Sequence, residues 1–310
     1  MSSTERATVP IPLEEALDDQ IAAARGKAKL LHSPGRYLVL SALAGAFIGV
    51  GVVLMIMVSA PLTLAHSPWV KLIQGLVFGV ALTLVIFAGG ELATSNMMTM
   101  VQGAVRRAFS PLVALAVIVG SLVGNLVGSV GFAWLVHCSG VLGVAPAPGA
   151  PAPGLAGLTG MLTAKMAESG EAMFFRGVLC NFLVCLTVWM GMRTRSDATK
   201  ILLIFAGILA FVASGFEHVV ANMTTFSLGL FEHVPGVTMG AFAHNLLFVG
   251  LGNLVGGGLL VGVAYAYTGR RAKPAATATA SASVSASAPA SVPAPRAGDE
   301  AAAVPVAETA

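Results

Sequence analysis

Residues 91–99 read Glu-Leu-Ala-Thr-Ser-Asn-Met-Met-Thr, and residues 217–225 read Glu-His-Val-Val-Ala-Asn-Met-Thr-Thr. Both fit the pattern E-x4-N-M-x-T, 126 positions apart. A second pair, Gly124-Asn125-Leu126-Val127-Gly128 and Gly252-Asn253-Leu254-Val255-Gly256, follows in the same order at an offset of 128. A chain rich in Gly, Leu and Val yields one such match by chance; two in the same order mark an internal repeat. Each E-x4-N segment lies within an apolar run and follows small residues, Gly89-Gly90 and Ser214-Gly215. Gly in a helix interior costs about 1 kcal/mol against Ala, so these are weak points. The pattern predicts two helices broken at membrane depth, where non-helical backbone survives only if protein or a water-filled path satisfies its polar groups.

The surrounding composition supports a bilayer setting. Of 310 residues, 17 are Lys or Arg and 14 Asp or Glu, so 10% are charged and 56% hydrophobic. Soluble domains carry about 25% charge. So apolar a chain excludes a soluble enzyme and a disordered protein, and a net charge of +3 gives no surface for nucleic acid. Runs near 36–59, 70–102, 109–137, 158–192, 198–231 and 239–268 read as six spans, since about 20 apolar residues cross a bilayer. Residues 1–35 form an N-terminal cytoplasmic segment, in which 11–31 has the spacing of an amphipathic helix lying on the membrane. Residues 36–270 form a six-helix transmembrane domain. Residues 271–310, rich in Ala, Ser and Pro, read as a disordered cytoplasmic tail. Arg106 and Arg107, then Arg193, Arg195 and Lys200, then Arg270, Arg271 and Lys273 fall on one side, which puts both termini in the cytoplasm. Cys138, Cys180 and Cys185 have no paired spacing and read as packing residues.

Six spans divided by the repeat leave three in each half. An odd number inserts the second half upside down, and inverted repeats typify transporters whose substrate path runs at the repeat interface. Four ionisable side chains within the spans stand out as functional candidates: Glu91, Arg176, Glu217 and His218. The symmetric Glu91 and Glu217, with Asn96 and Asn222 of the same motif, read as structural groups at the breaks, the carboxylates accepting freed backbone N–H groups. Arg176 either pairs with one of them or faces the outer vestibule. His218 has Leu92 as its repeat partner, so symmetry does not require it; it is the candidate substrate contact. Thr94 offers a hydroxyl from the opposing break. The other histidines, at span ends or in loops, read as surface residues. No HExxH or GxSxG motif is present, so a membrane enzyme has thin support, and neither a metal nor a cofactor is expected.

The stretches Ala88–Met98 (AGGELATSNMM), Gly124–Ser129 (GNLVGS), Arg176–Met190 (RGVLCNFLVCLTVWM), Ser214–Met223 (SGFEHVVANM) and Asn245–Gly258 (NLLFVGLGNLVGGG) resemble the formate/nitrite transporter family, in family order over roughly residues 30–270. ALTLVIFAGGEL, WMGMRT and AHNLL look most like its nitrite branch. The resemblance implies an all-α integral membrane protein: six transmembrane helices, an aquaporin-like inverted repeat with broken second and fifth helices, and a homopentamer with one pore per protomer. Leu92, Ala93 and Thr94 match the loop that interrupts span two, and His218 matches the central histidine. Phe78 and Phe211 match an outer apolar constriction, and Lys165 and Asn181 match polar positions along the path. Ala93 stands where the family commonly has a bulky aromatic. The expected function is a channel or transporter in the cell membrane for nitrite, with formate and protons as further candidates. The alternatives are a formate channel and, against the absence of paired NPA tripeptides, a neutral-solute pore.

Overall fold

A computed structural model describes residues 10–269; the proposed tail at 271–310 lies outside them. The described residues are helical and contain no strand. The helices are α1 (Leu13–Leu30), α2 (Pro34–Leu64), α3 (Val70–Leu84, continued by a π-type turn over Val85–Gly89), α4 (Ala93–Val105) and α5 (Pro111–Ser139). They continue as α6 (Pro153–Met166), α7 (Gly170–Met192), α8 (Asp197–Ala213), α9 (Val219–Phe231) and α10 (Met239–Asn253, carried on through Leu254–Val263 and Ala264–Thr268). Hydroxyls at Ser110, Ser169, Ser196 and Thr238 cap α5, α7, α8 and α10 by accepting backbone N–H groups that a helix start leaves unpaired.

Five of these helices, α2, α3, α5, α7 and α10, are long and apolar enough to cross a membrane, and α9 is a shorter apolar helix. Leu112, Leu115, Val119, Val123 and Val127 run exposed down one side of α5, as a lipid-facing surface requires. Two expectations change. The stretch 158–192 is not one continuous span: α6 runs from Pro153 to Met166 and α7 begins at Gly170. The N-terminal helix does not lay its apolar face on lipid. Ala16, Leu17, Ile21 and Ala24 are buried against Met98, Cys185, Trp189 and neighbouring residues of the bundle. Its start is tied down as Ile11 and Arg193 exchange backbone and side-chain hydrogen bonds of 2.9 Å, and Arg195 reaches Asp19 at 3.1 Å.

The same pairing recurs in both halves. Helix α2 packs along α5, and α7 along α10, and the twin GNLVG segments lie at these two contacts. A Cβ on Gly128 would stand 1.8 Å from the Ala42 carbonyl oxygen, and one on Gly256 2.1 Å from that of Val178. Gly252 comes equally close to the Phe174 carbonyl. Each segment is a G-x-x-x-G, the spacing that lets helix backbones touch in lipid. Its asparagine, Asn125 or Asn253, is thereby carried to the chain breaks.

Candidate functional site

Two interruptions in the helices build the site. Residues 90–92 separate α3 from α4, and residues 214–218 separate α8 from α9. Gly89, just before the first, and Gly215, within the second, lie in the left-handed region at φ 86° and φ 75°, a conformation that side chains disfavour. At the first break the Ala93 N–H donates to Asn125 Oδ1 at 2.9 Å, while Asn125 Nδ2 donates to the Glu91 carbonyl at 2.9 Å and the Ser41 carbonyl at 2.7 Å. At the second, the Val219 N–H donates to Asn253 Oδ1 at 2.9 Å, while Asn253 Nδ2 donates to the Glu217 carbonyl at 3.0 Å and the Gly177 carbonyl at 2.8 Å. Each N–H of the two glutamates donates to a neighbouring span, Glu91 to Leu40 and Glu217 to Arg176.

These asparagines perform the task expected of the carboxylates. Glu91 and Glu217 do not accept the freed backbone donors; they accept from side chains. Glu91 takes Lys27 at 2.7 Å and Asn96 at 3.1 Å. Glu217 takes Lys165 at 2.6 Å on both oxygens and Asn222 at 2.7 Å. A buried carboxylate is costly unless paired, and each finds a lysine from a helix outside its motif, α1 in one half and α6 in the other. Asn125 and Asn253 were visible in the repeat as polar residues amid apolar ones, which was the available signal for their role. Lys27 gave none, because it reads as one charge among several on an amphipathic helix.

His218 joins the two breaks. Its Nδ1 accepts from the Ala221 N–H at 3.2 Å and so caps α9, and its Nε2 lies 3.0 Å from Thr94 Oγ1. With Nδ1 an acceptor, the neutral ring carries its proton on Nε2, which then donates to Thr94. Leu92, its repeat partner, makes no side-chain cap. The Phe211 ring stacks on the imidazole with centroids 6.1 Å apart, and Phe78 meets Phe211 edge-on at 6.1 Å. Leu92, Ala93 and Thr94 are buried beside them. Asn181 is also fully buried, but its amide is committed to the carbonyls of Asn253 at 2.7 Å and Thr94 at 3.2 Å. It holds the start of α4.

A cavity of about 620 Å³ leads to this contact, lined by Phe78, Phe211 and His218 together with Lys71, Lys165, Glu168, Arg176 and Glu217. Exposure falls along it, from 44% for the Arg176 side chain and 14% for Lys165 to 4% for His218. Arg176 pairs with Glu168, not with either glutamate of the breaks. Glu168 lies between α6 and α7, and burial, with the like charge of Glu217, raises its carboxyl above the usual carboxylate range. Among the described residues no cluster of His, Cys, Asp or Glu has the arrangement of a metal site.

The family model described as formate/nitrite transporter matches residues 14–267. The chain is 39% identical over 246 residues to the nitrite transporter NirC of Salmonella typhimurium, covering 79% of this chain and 87% of that relative. A solved FNT family ion channel superposes with a TM-score of 0.75 at 37% identity, over 82% of this chain and 98% of the other. A pentameric formate channel with formate bound superposes at 0.66 and 28% identity, over 76% and 98%. These similar proteins are transporters and channels rather than enzymes. A repeated motif that stands at two interruptions between helices, and a sequence match running through both, have one explanation: the chain is a membrane protein of the formate/nitrite transporter family.

Proposed function

We propose that the chain is a nitrite channel of the cell membrane, and that the anion passes the Thr94–His218 contact between the cavity and the cytoplasm. The observation that carries this reading is the imidazole Nε2 held 3.0 Å from Thr94 Oγ1 behind two aromatic rings, at the buried end of a cavity with cationic walls. An anion drawn inward sheds water at Phe78 and Phe211. An unpaired charge there is costly, and the Nε2–H is the donor that meets it when Thr94 gives way. A proton passed along with the anion would remove most of the cost. Leu92 and Ala93, on the far side of the contact, form the inner constriction; the small Ala93 leaves its closure to Leu92. Lys165 draws the anion inward only in concert with other cations, because Glu217 already engages it.

In this reading α3–α4 and α8–α9 are the second and fifth of six spans, each broken, in an aquaporin-like inverted repeat. Residues 36–270 form the transporter domain, with residues 1–35 and 271–310 cytoplasmic. The pentameric neighbour supports a homopentamer with a pore in each protomer. Formate is the second substrate, favoured by that neighbour's bound formate; both ions are small, bent and singly charged.

Nitrite uptake by proteoliposomes tests the proposal. Uptake should exceed that of protein-free vesicles by about tenfold or more, a factor equal to roughly 1.4 kcal/mol of barrier. Formate uptake should be slower, and osmotic swelling with neutral solutes should match the empty vesicles. Nitrite uptake at the empty-vesicle rate overturns the reading, and rapid swelling would support a neutral-solute pore instead.

A further inference from the structure

The outer part of the cavity contains a charged pair that the Thr94–His218 path does not use. Arg176 sits on α7 one residue before Gly177, and its own carbonyl accepts the Glu217 N–H. The residue is therefore mounted on the framework that holds the second break. Its side chain is 44% exposed and directed to the cavity, where Nη1 donates to Glu168 Oε1. Glu168 is only 11% exposed, and its other oxygen, Oε2, is buried with no hydrogen-bond partner. Lys165 directs its hydrogen bonds to the two Glu217 oxygens, at 2.6 Å, and makes none to Glu168. Lys71, at the start of α3, lines the same cavity.

We propose that Arg176 is an anion-capture site at the cavity mouth, and that Glu168 is a built-in competitor occupying its guanidinium. The ligand class is a small monovalent oxyanion with two coplanar oxygens, which a guanidinium fork can hold bidentately. Resting on the channel reading above, this adds a step before the rings: an anion must displace a carboxylate already in place. Protonating Glu168 weakens the competitor and leaves Arg176 for the anion. The charges that face Glu168 are Arg176, Lys165 and Lys71, which favour its ionised form, and Glu217, which opposes it. Burial adds to Glu217, so the carboxyl takes up its proton at a higher pH than an ordinary glutamate. Lowering the external pH therefore shifts the lining from three cations against two carboxylates to three against one. Capture strengthens as the solution becomes more acidic.

The test measures nitrite binding to the detergent-solubilised full-length protein by calorimetry, at about pH 5 and about pH 8, beside uptake by proteoliposomes. Glu168→Gln imitates the protonated acid. At the higher pH it should bind nitrite about fivefold more tightly than wild type, a factor equal to roughly 1 kcal/mol, and lose most of the pH dependence. Arg176→Gln should weaken binding at the lower pH and cancel the gain in the double variant, while Arg176→Lys retains part of it. Equal affinities for wild type and Glu168→Gln at both pH values overturn the proposal. So does an Arg176→Gln variant that binds as wild type. Binding and uptake separate the two claims: pH-dependent binding without uptake leaves the capture site standing and removes the channel reading. Uptake with pH-independent binding does the reverse.

Discussion

Replacing Asn253 with Leu should lower the thermal midpoint of the solubilised protein by on the order of 10 °C and abolish uptake. Leu keeps the branched skeleton of Asn but none of its polar atoms, so most of the loss lies in hydrogen bonding, with overpacking by the larger methyl groups adding to it. The substitution strands the Val219 N–H and the Glu217 carbonyl, which Asn253 holds at 2.9 and 3.0 Å; the Gly177 carbonyl keeps its place within α7. A buried polar group left unpaired costs about 1–3 kcal/mol, so two cost roughly 2–6 kcal/mol. A chain with a domain of this size loses about 2–4 °C per kcal/mol, which gives the expected fall. Water cannot substitute, because Asn253 is fully buried. Asn125→Leu should behave alike, since it strands the Ala93 N–H and the Glu91 carbonyl. Melting followed by size-exclusion chromatography reads both. A midpoint within a few degrees of wild type would show that the breaks do not depend on these amides.

Gly128→Val should be comparably damaging for a steric reason. Its Cβ would stand 1.8 Å from the Ala42 carbonyl oxygen, 2.5 Å from the carbonyl carbon and 2.8 Å from the Cα. All three are backbone atoms, so no side chain can swing away, and α2 and α5 must separate. Overpacking typically costs about 1–3 kcal/mol and occasionally more. Here separation also withdraws Asn125 from the Ser41 carbonyl it holds at 2.7 Å, so the cost should reach the upper end of that range or exceed it. Gly191→Ala, where an added Cβ meets nothing within 4 Å, is the control and should leave the midpoint unchanged or slightly raised. A Gly128→Val protein as stable as this control would contradict the close contact of α2 and α5.

Much of this is legible in the amino-acid sequence. Gly89-Gly90 and Ser214-Gly215 marked both breaks, because weak helix formers preceding a repeated polar motif in an apolar run have few other readings. His218 stood out by asymmetry, and its bonds to Ala221 and Thr94 explain what a side chain in place of Leu92 provides. The division of labour around the breaks was less legible. A carboxylate and an asparagine can both accept a backbone N–H, and only geometry shows that Asn125 and Asn253 do so while the glutamates take lysines. Asn253 lies 36 residues from Glu217 in the chain, so no local spacing joins them. The boundary of α7 was hidden because Pro153–Met166 is apolar enough to merge with Gly170–Met192, and the separating turn at 167–169 contains no Gly or Pro. The docked face of α1 was ambiguous because an amphipathic helix has the same pattern whether its apolar side meets lipid or protein.

His218→Asn tests most directly whether an anion passes the Nε2–H of His218. Asparagine retains an N-cap acceptor for the Ala221 N–H, so the start of α9 is preserved while the imidazole donor is removed. A hydrogen bond to a charged group is worth about 1.5–3 kcal/mol, or roughly 10- to 100-fold in rate. Nitrite uptake by proteoliposomes should fall by that factor with the thermal midpoint within a few degrees of wild type. Uptake at the wild-type rate by a folded His218→Asn protein would contradict the account.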